Sequence, residues 1–255
     1  MTADARNFNQ ARNQVRRTLQ RSPHRAHNLL RSGIRMGLFP GEAALTEDAL
    51  IIKLSTSRNS VRQALQMLAS EGLVLRRPNL GTTVVASIAD VPIDEIVSRT
   101  QMAAVRASVR ELDHREIPAT DYMRARLESS CDTVDMCEVL VSADGEPRSV
   151  RVSYVPYTGE LLTRVTEIIP VAAAFERVFG SPLGSSDATI SAIAAGQSLS
   201  KLLAVPEGAP VLVEEVVMRD VTGRAREFSY THHRADRISL SMNFPMRRDA
   251  PRMAS

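Results

Sequence analysis

Apolar residues in the first third of the chain recur at helical spacing in separate blocks, each bounded by a start and a stop signal. Ala26, Leu29, Leu30 and Ile34 fall on one face of a helix that opens at Pro23 and ends near Gly37. The turn Phe39-Pro40-Gly41 follows. Thr46 is placed to cap a second helix, with Glu47 and Asp48 in its favourable first turn and an end at about Leu54. Ser55-Thr56-Ser57 then turns the chain, and Ser57 caps a third helix. Val61, Ala64, Leu65 and Leu68 of that helix repeat at i, i+3, i+4 and i+7, and Gly72 stops it. Leu73–Arg77 and Thr82–Val85 read as short strands joined by the tip Pro78-Asn79-Leu80-Gly81. Three helices followed by a hairpin predict a winged helix-turn-helix.

Beyond a linker at residues 88–94 the pattern changes. Residues 102–112 read as a strand and 119–129 as a short helix. Cys137–Ser142 and Arg148–Val155 are strands hinged by Ala143-Asp144-Gly145-Glu146. Helices are expected at 171–179 and 196–204. Val211–Asp220 and Glu227–Arg234 form a second hairpin through Thr222-Gly223. Helices grouped with antiparallel hairpins predict an α+β domain.

Composition narrows the classes. The 255 residues are 44% hydrophobic and 24% charged, enough for two modest cores. No run approaches the roughly 20 apolar residues of a membrane helix, and the N-terminus lacks an apolar signal core. Two cysteines, Cys131 and Cys137, make no disulfide framework, so a reduced cytoplasmic setting is expected. The net charge of +3 is divided: residues 1–87 carry 13 Lys and Arg against 5 Asp and Glu, and the rest carry 19 against 24. A basic front and an acidic rear predict that only the first part meets a polyanion. Residues 1–22, with Arg6, Arg12, Arg16, Arg17 and Arg21, read as a loose basic arm.

The third predicted helix carries the candidate chemistry. Opposite its apolar stripe stand Arg58, Asn59, Ser60, Arg62 and Gln63, crowded into the N-terminal half. A cation in a first turn opposes the helix dipole by about 0.3–1 kcal/mol. Arg58 has no acidic neighbour on that helix, and a phosphate or a guanine edge would relieve the mismatch. Arginine binds guanine O6 and N7 with two hydrogen bonds, and asparagine does the same for adenine.

The ordered stretch Arg35-Met-Gly-Leu-Phe-Pro-Gly-Glu42, Leu45–Leu50 and Leu54–Leu65 resembles the GntR superfamily of regulators. Leu68–Leu73 and Arg76-Arg77 through Gly81-Thr82 continue the match. The resemblance implies operator contacts from Arg58, Asn59, Ser60 and Arg62, with the wing tip, Asn79 and Gly81, in the minor groove. Four positions depart from the pattern: Asp48 stands where an Arg is common, Ser55 and Asn79 where Gly is usual, and Leu80 where a basic residue is frequent. The second domain resembles the UTRA effector domain of the HutC subfamily. The resembling residues are Ser142–Pro147 with Tyr154-Val-Pro156, Leu202–Val211, Arg219–Gly223, Glu227 and Arg234–Arg237. This implies a chorismate-lyase-like α+β fold, a homodimer on inverted-repeat double-stranded DNA, and a ligand that modulates a repressor. The expected organisation is an arm at 1–22, the winged helix-turn-helix at 23–87, a linker at 88–94, the effector and dimerisation domain at 95–245, and a tail at 246–255.

Relatives that bind sugar phosphates carry two Arg residues and a Ser where this chain has Val139, Val141 and Ala173, which argues against a phosphosugar. Arg151 instead is expected to face Glu227, with Tyr154 and His233 nearby. That site suits an organic acid or an amphipathic metabolite. A structural Arg151–Glu227 ion pair is the alternative. No metal site is expected: His232 and His233 point to opposite faces of a strand, and the cysteines lack CxxC spacing. No nucleotide-binding or hydrolase motif occurs, so no catalytic residue and no cofactor is expected. An enzyme with a lyase-like C-terminal domain and a nonspecific architectural DNA-binding protein are the competing classes.

Overall fold

A computed structural model describes residues 22–39, 45–77, 81–92, 107–162 and 170–241. The chain separates into two compact units, residues 1–88 and 89–255. The expected arm and tail, and Asn79 at the wing tip, lie outside the described residues.

The first unit contains α1 (Pro23–Arg35), α2 (Glu47–Leu54), α3 (Arg58–Ser70), β1 (Val74–Arg77) and β2 (Gly81–Val84). Pro23 opens α1, and Gly37 follows its end at φ 67°, which costs glycine nothing. Thr46 Oγ1 accepts the Ala49 amide at 3.3 Å and Ser57 Oγ that of Ser60 at 3.2 Å, so both expected caps form. Ala26, Leu30 and Ile34 meet Leu50, Val61, Ala64, Leu65, Leu68 and Leu73 in one core. Leu29, expected on that face, is exposed instead. Gly33 is buried inside α1 because the Phe39 ring lies against it; a Cβ there would stand 2.4 Å from the ring. Glu71, just past α3, accepts hydrogen bonds from His27 Nε2 at 2.5 Å and Arg31 Nε at 3.3 Å, tying α1 to the end of α3. β1 and β2 pair antiparallel, and Leu45 bridges to Thr82 as a third ribbon.

The second unit is built on a six-stranded antiparallel sheet, ordered β4-β5-β6-β9-β8-β7. Its strands are β4 (Ala107–Pro118), β5 (Thr133–Ala143), β6 (Glu146–Pro156), β7 (Leu183–Ala194), β8 (Pro210–Asp220) and β9 (Ala225–Arg234). Asp144 and Gly145 turn between β5 and β6 at φ 53° and 80°, the conformation a two-residue hairpin needs. Helices α4 (Asp121–Leu127), α5 (Val171–Phe179) and α6 (Gln197–Leu203) complete the α+β unit. One face of the sheet, through Val134, Leu140, Val150, Phe228, Val211 and Val217, packs with residues of α4 and α6. The other face, through Val216 and Met218, packs with Phe175 of α5. The expected linker is not free chain: β3 (Ala89–Pro92) pairs in parallel with β10 (Ile238–Ser241). β7 was not foreseen at all.

Candidate DNA interface and effector pocket

α3 presents two opposed faces. Val61, Ala64, Leu65 and Leu68 are fully buried, while Arg58, Asn59, Arg62 and Gln63 are exposed. Ser60 departs from expectation. It is 1% exposed, and its hydroxyl lies 2.9 Å from the capping Ser57 Oγ, so it belongs to the cap and not to the outer face. Arg58 also has an acidic partner after all, supplied by the neighbouring helix: its Nη2 donates to Asp48 Oδ1 at 2.5 Å. Arg62 Nε donates to Glu47 Oε2 at 2.8 Å, and Arg76 of the wing reaches Glu47 Oε1 at 3.3 Å. The arginines are thus held side by side by two α2 carboxylates. Exposed pairs of this kind contribute about 0–1 kcal/mol, so a polyanion can displace the acids at small cost. Gly81 starts β2 at φ 88°, a conformation that suits glycine where the wing turns.

The pocket lies between the sheet and α5. Strand alternation decides who shares it. Arg151 and Ser153 of β6, Cys137 and Val139 of β5, Val109 and Glu111 of β4, and Met218 and Glu227 of β8 and β9 line a recess of about 70 Å³. Ala174, Phe175, Val178 and Phe179 of α5 close it. Arg151 and Glu227 are brought together as expected. Arg151 Nη2 donates to Glu227 Oε1 and, at 3.3 Å, to Ser229 Oγ.

Tyr154 is not with them. It is an odd number of residues from Arg151, faces the other side of the sheet and stacks on Phe228 with centroids 5.9 Å apart. Burial there raises its phenol pKa. His233 shares the sheet face with Glu227, but six residues along a strand is about 20 Å. Its Nε2 lies 3.1 Å from Glu214 Oε2, both side chains buried, and it does not line the recess. Val139 does line it; of the α5 positions it is Ala174, not Ala173, that does. Sequence reasoning missed Glu111, Cys137, Phe175 and Met218. The apolar face of α5 was the one available signal, since Val171, Phe175 and Val178 repeat at helical spacing.

A winged helix-turn-helix followed by an α+β unit with an internal recess defines a transcription regulator that answers to a small molecule. Residues 24–84 match the gntR family of bacterial regulatory proteins and residues 103–239 match the UTRA domain. An uncharacterized HTH-type transcriptional regulator of Rhizobium meliloti is 30% identical over 81% of this chain and 90% of its own. An HTH-type transcriptional regulator of Mycobacterium tuberculosis is 25% identical over 78% and 77%. The crystal structure of PhnF from Mycobacterium smegmatis superposes with a TM-score of 0.61, covering 81% of this chain and 93% of that one at 20% identity. The chain belongs to the gntR family and carries a UTRA effector-binding domain.

Proposed function

We propose that the protein is a repressor that covers an inverted-repeat operator as a homodimer in the cytoplasm and is released or recruited by a small effector, without catalysing a reaction. The observation that carries this reading is the outer face of α3: Arg58, Asn59 and Arg62 stand exposed over a fully buried apolar stripe. That is the disposition with which a recognition helix enters a major groove. Gly81 and the tip around Asn79 supply the wing's contacts. A homodimer matches a two-fold operator because each protomer then reads one half-site.

The effector is an organic acid or an amphipathic metabolite held in the recess. Arg151 offers one cation, Glu227 one carboxylate, and Val139, Phe175, Val178 and Met218 the apolar walls. Among the described residues, Arg151 is the one basic side chain in the lining, which fits a carboxylate better than a phosphate ester. Selection of bound fragments from genomic DNA by the purified full-length chain tests the reading. Enrichment of one palindromic motif is expected; uniform recovery with only a steep salt dependence would mark a nonspecific architectural protein instead.

A further inference from the structure

Glu111, His114 and Cys137 converge at one edge of the recess, although the sequence separates Glu111 and His114 by three residues. Three is an odd step, which on a regular strand sends two side chains to opposite faces. The register explains the convergence: Glu111 pairs with Val139 and Asp113 with Glu138, so Leu112 is an inserted residue, and His114 then lies across from Cys137. Cross-strand partners share a face, so this bulge turns His114 onto the side of Glu111 and Cys137. Bulges beside functional sites re-aim side chains in this way.

We propose that Glu111, His114 and Cys137 form a binding site for a divalent metal ion of the zinc class, with its remaining coordination position turned into the effector recess. The donor atoms all lie within 4.8 Å of one another. A carboxylate oxygen, an imidazole nitrogen and a thiolate sulfur make a mixed hard and soft set that suits zinc and cobalt better than magnesium or calcium. Three protein ligands leave a tetrahedral ion one open position. Glu111 and Cys137 both line the recess, so an effector donor group can occupy that position.

Asp135 is the independent observation. It is 1% exposed, and its Oδ1 lies 2.9 Å from His114 Nε2 while its Oδ2 accepts the Leu162 amide at 2.7 Å. His114 Nδ1 is on the Glu111 side, 3.4 Å from Oε2. A buried carboxylate that takes one ring N–H and points the other nitrogen at the remaining donors is the outer support that metal-bound histidines use. It fixes the tautomer in which Nδ1 has a lone pair for the metal. The loop end at Leu162 fixes Asp135 in turn. The site does not depend on the recess being the effector pocket; only the role of its open position rests on that reading.

The test is titration of the full-length protein, stripped with chelator, with Co²⁺ alone and then Zn²⁺ in competition. One equivalent of Co²⁺ should produce a thiolate-to-cobalt charge-transfer band that Zn²⁺ bleaches. Cys137→Ser should abolish the band, and Cys131→Ser should keep it. Glu111→Gln, at a half-exposed side chain that the fold does not need, should weaken Co²⁺ binding while leaving the circular dichroism of the protein unchanged. Asp135→Asn should weaken it roughly 10–100-fold, the usual cost of losing an outer-shell partner. No charge-transfer band in the parent, or a band undiminished in Glu111→Gln and Cys137→Ser, would overturn the proposal. Genomic-DNA selection by the same parent sample is scored separately, so failure of the metal site and failure of the repressor reading are distinguishable.

Discussion

The two units handle charge in opposite ways. In the first, Arg58, Arg62 and Arg76 stand on the surface, loosely matched to Asp48 and Glu47 across α2. In the second, Arg151, Ser153, Glu214, Glu227, Ser229, Thr231 and His233 are drawn onto one face of the sheet, mostly buried. An exposed ion pair costs little to break; a buried one that loses a partner leaves a charge out of water. The first arrangement suits a large partner that brings its own negative charge. The second suits a small molecule that enters the protein and must satisfy groups already waiting there.

The largest effect that would sharpen this contrast is at Glu227. Glu227→Ala strands Arg151 in the recess and should destabilise the protein by about 1–3 kcal/mol, read as a lower urea midpoint. A Glu227→Leu, Arg151→Met double change should recover most of that loss, because the unpaired charge is gone. Across the molecule, Asp48→Ala should lower stability by no more than about 1 kcal/mol in urea unfolding, since the exposed side chain gives up only a first-turn carboxylate and a surface ion pair. It should also tighten DNA binding by several-fold, because Arg58 no longer has an acid to leave. Unchanged affinity would break the idea that Asp48 competes with DNA.

A smaller effect is expected where α2 ends. Ser55 sits at φ 48° and ψ 46°, the left-handed region, where glycine carries no Cβ penalty. Ser55→Gly should raise stability by about 0.5 kcal/mol, since the relief of strain is partly cancelled by the freer unfolded chain. The smallest is a pH dependence at the β8–β9 turn. Asp220 accepts from the Thr222 hydroxyl, Arg226 Nε and the Thr222 and Arg224 amides, and these hold its carboxyl well below the usual carboxylate range. A lowered folded pKa means stability fully present above the unfolded value near 4 and lost progressively as pH falls from there through the lower folded value. The melting temperature of the parent should therefore fall more steeply below pH 4 than that of Asp220→Asn.

How far the sequence could be read follows from how local each feature is. The caps at Thr46 and Ser57, the stripe on α3 and the Asp144-Gly145 hairpin are settled by neighbours within a few residues, and each formed where expected. Helix α5 spans Val171–Phe179, the range its apolar spacing predicts. β7 escaped because Leu-Gly-Ser-Ser-Asp-Ala-Thr-Ile-Ser-Ala-Ile-Ala has no alternation to show. It is a sheet edge exposed along nearly its whole length, and its pairing to β8 holds it in place. β3 read as linker because its partner, β10, is far away in sequence. At the recess, Arg151 and Glu227 were legible as complementary charges on facing strands. Tyr154 was misplaced by one step of alternation, and Ser60 by its diversion into the cap. His114 beside Cys137 was invisible because only the bulge at Leu112 brings it round.

Operator recognition, as proposed, rests on the outer face of α3. Binding of the full-length Arg58→Ala, Arg62→Ala variant to the duplex selected by the parent, at matched salt, is the direct measurement. The expected result is an unchanged urea midpoint with affinity reduced by about 2 kcal/mol or more, roughly 30-fold, and discrimination between operator and scrambled duplex largely lost. A folded variant that keeps parental affinity and discrimination would contradict it.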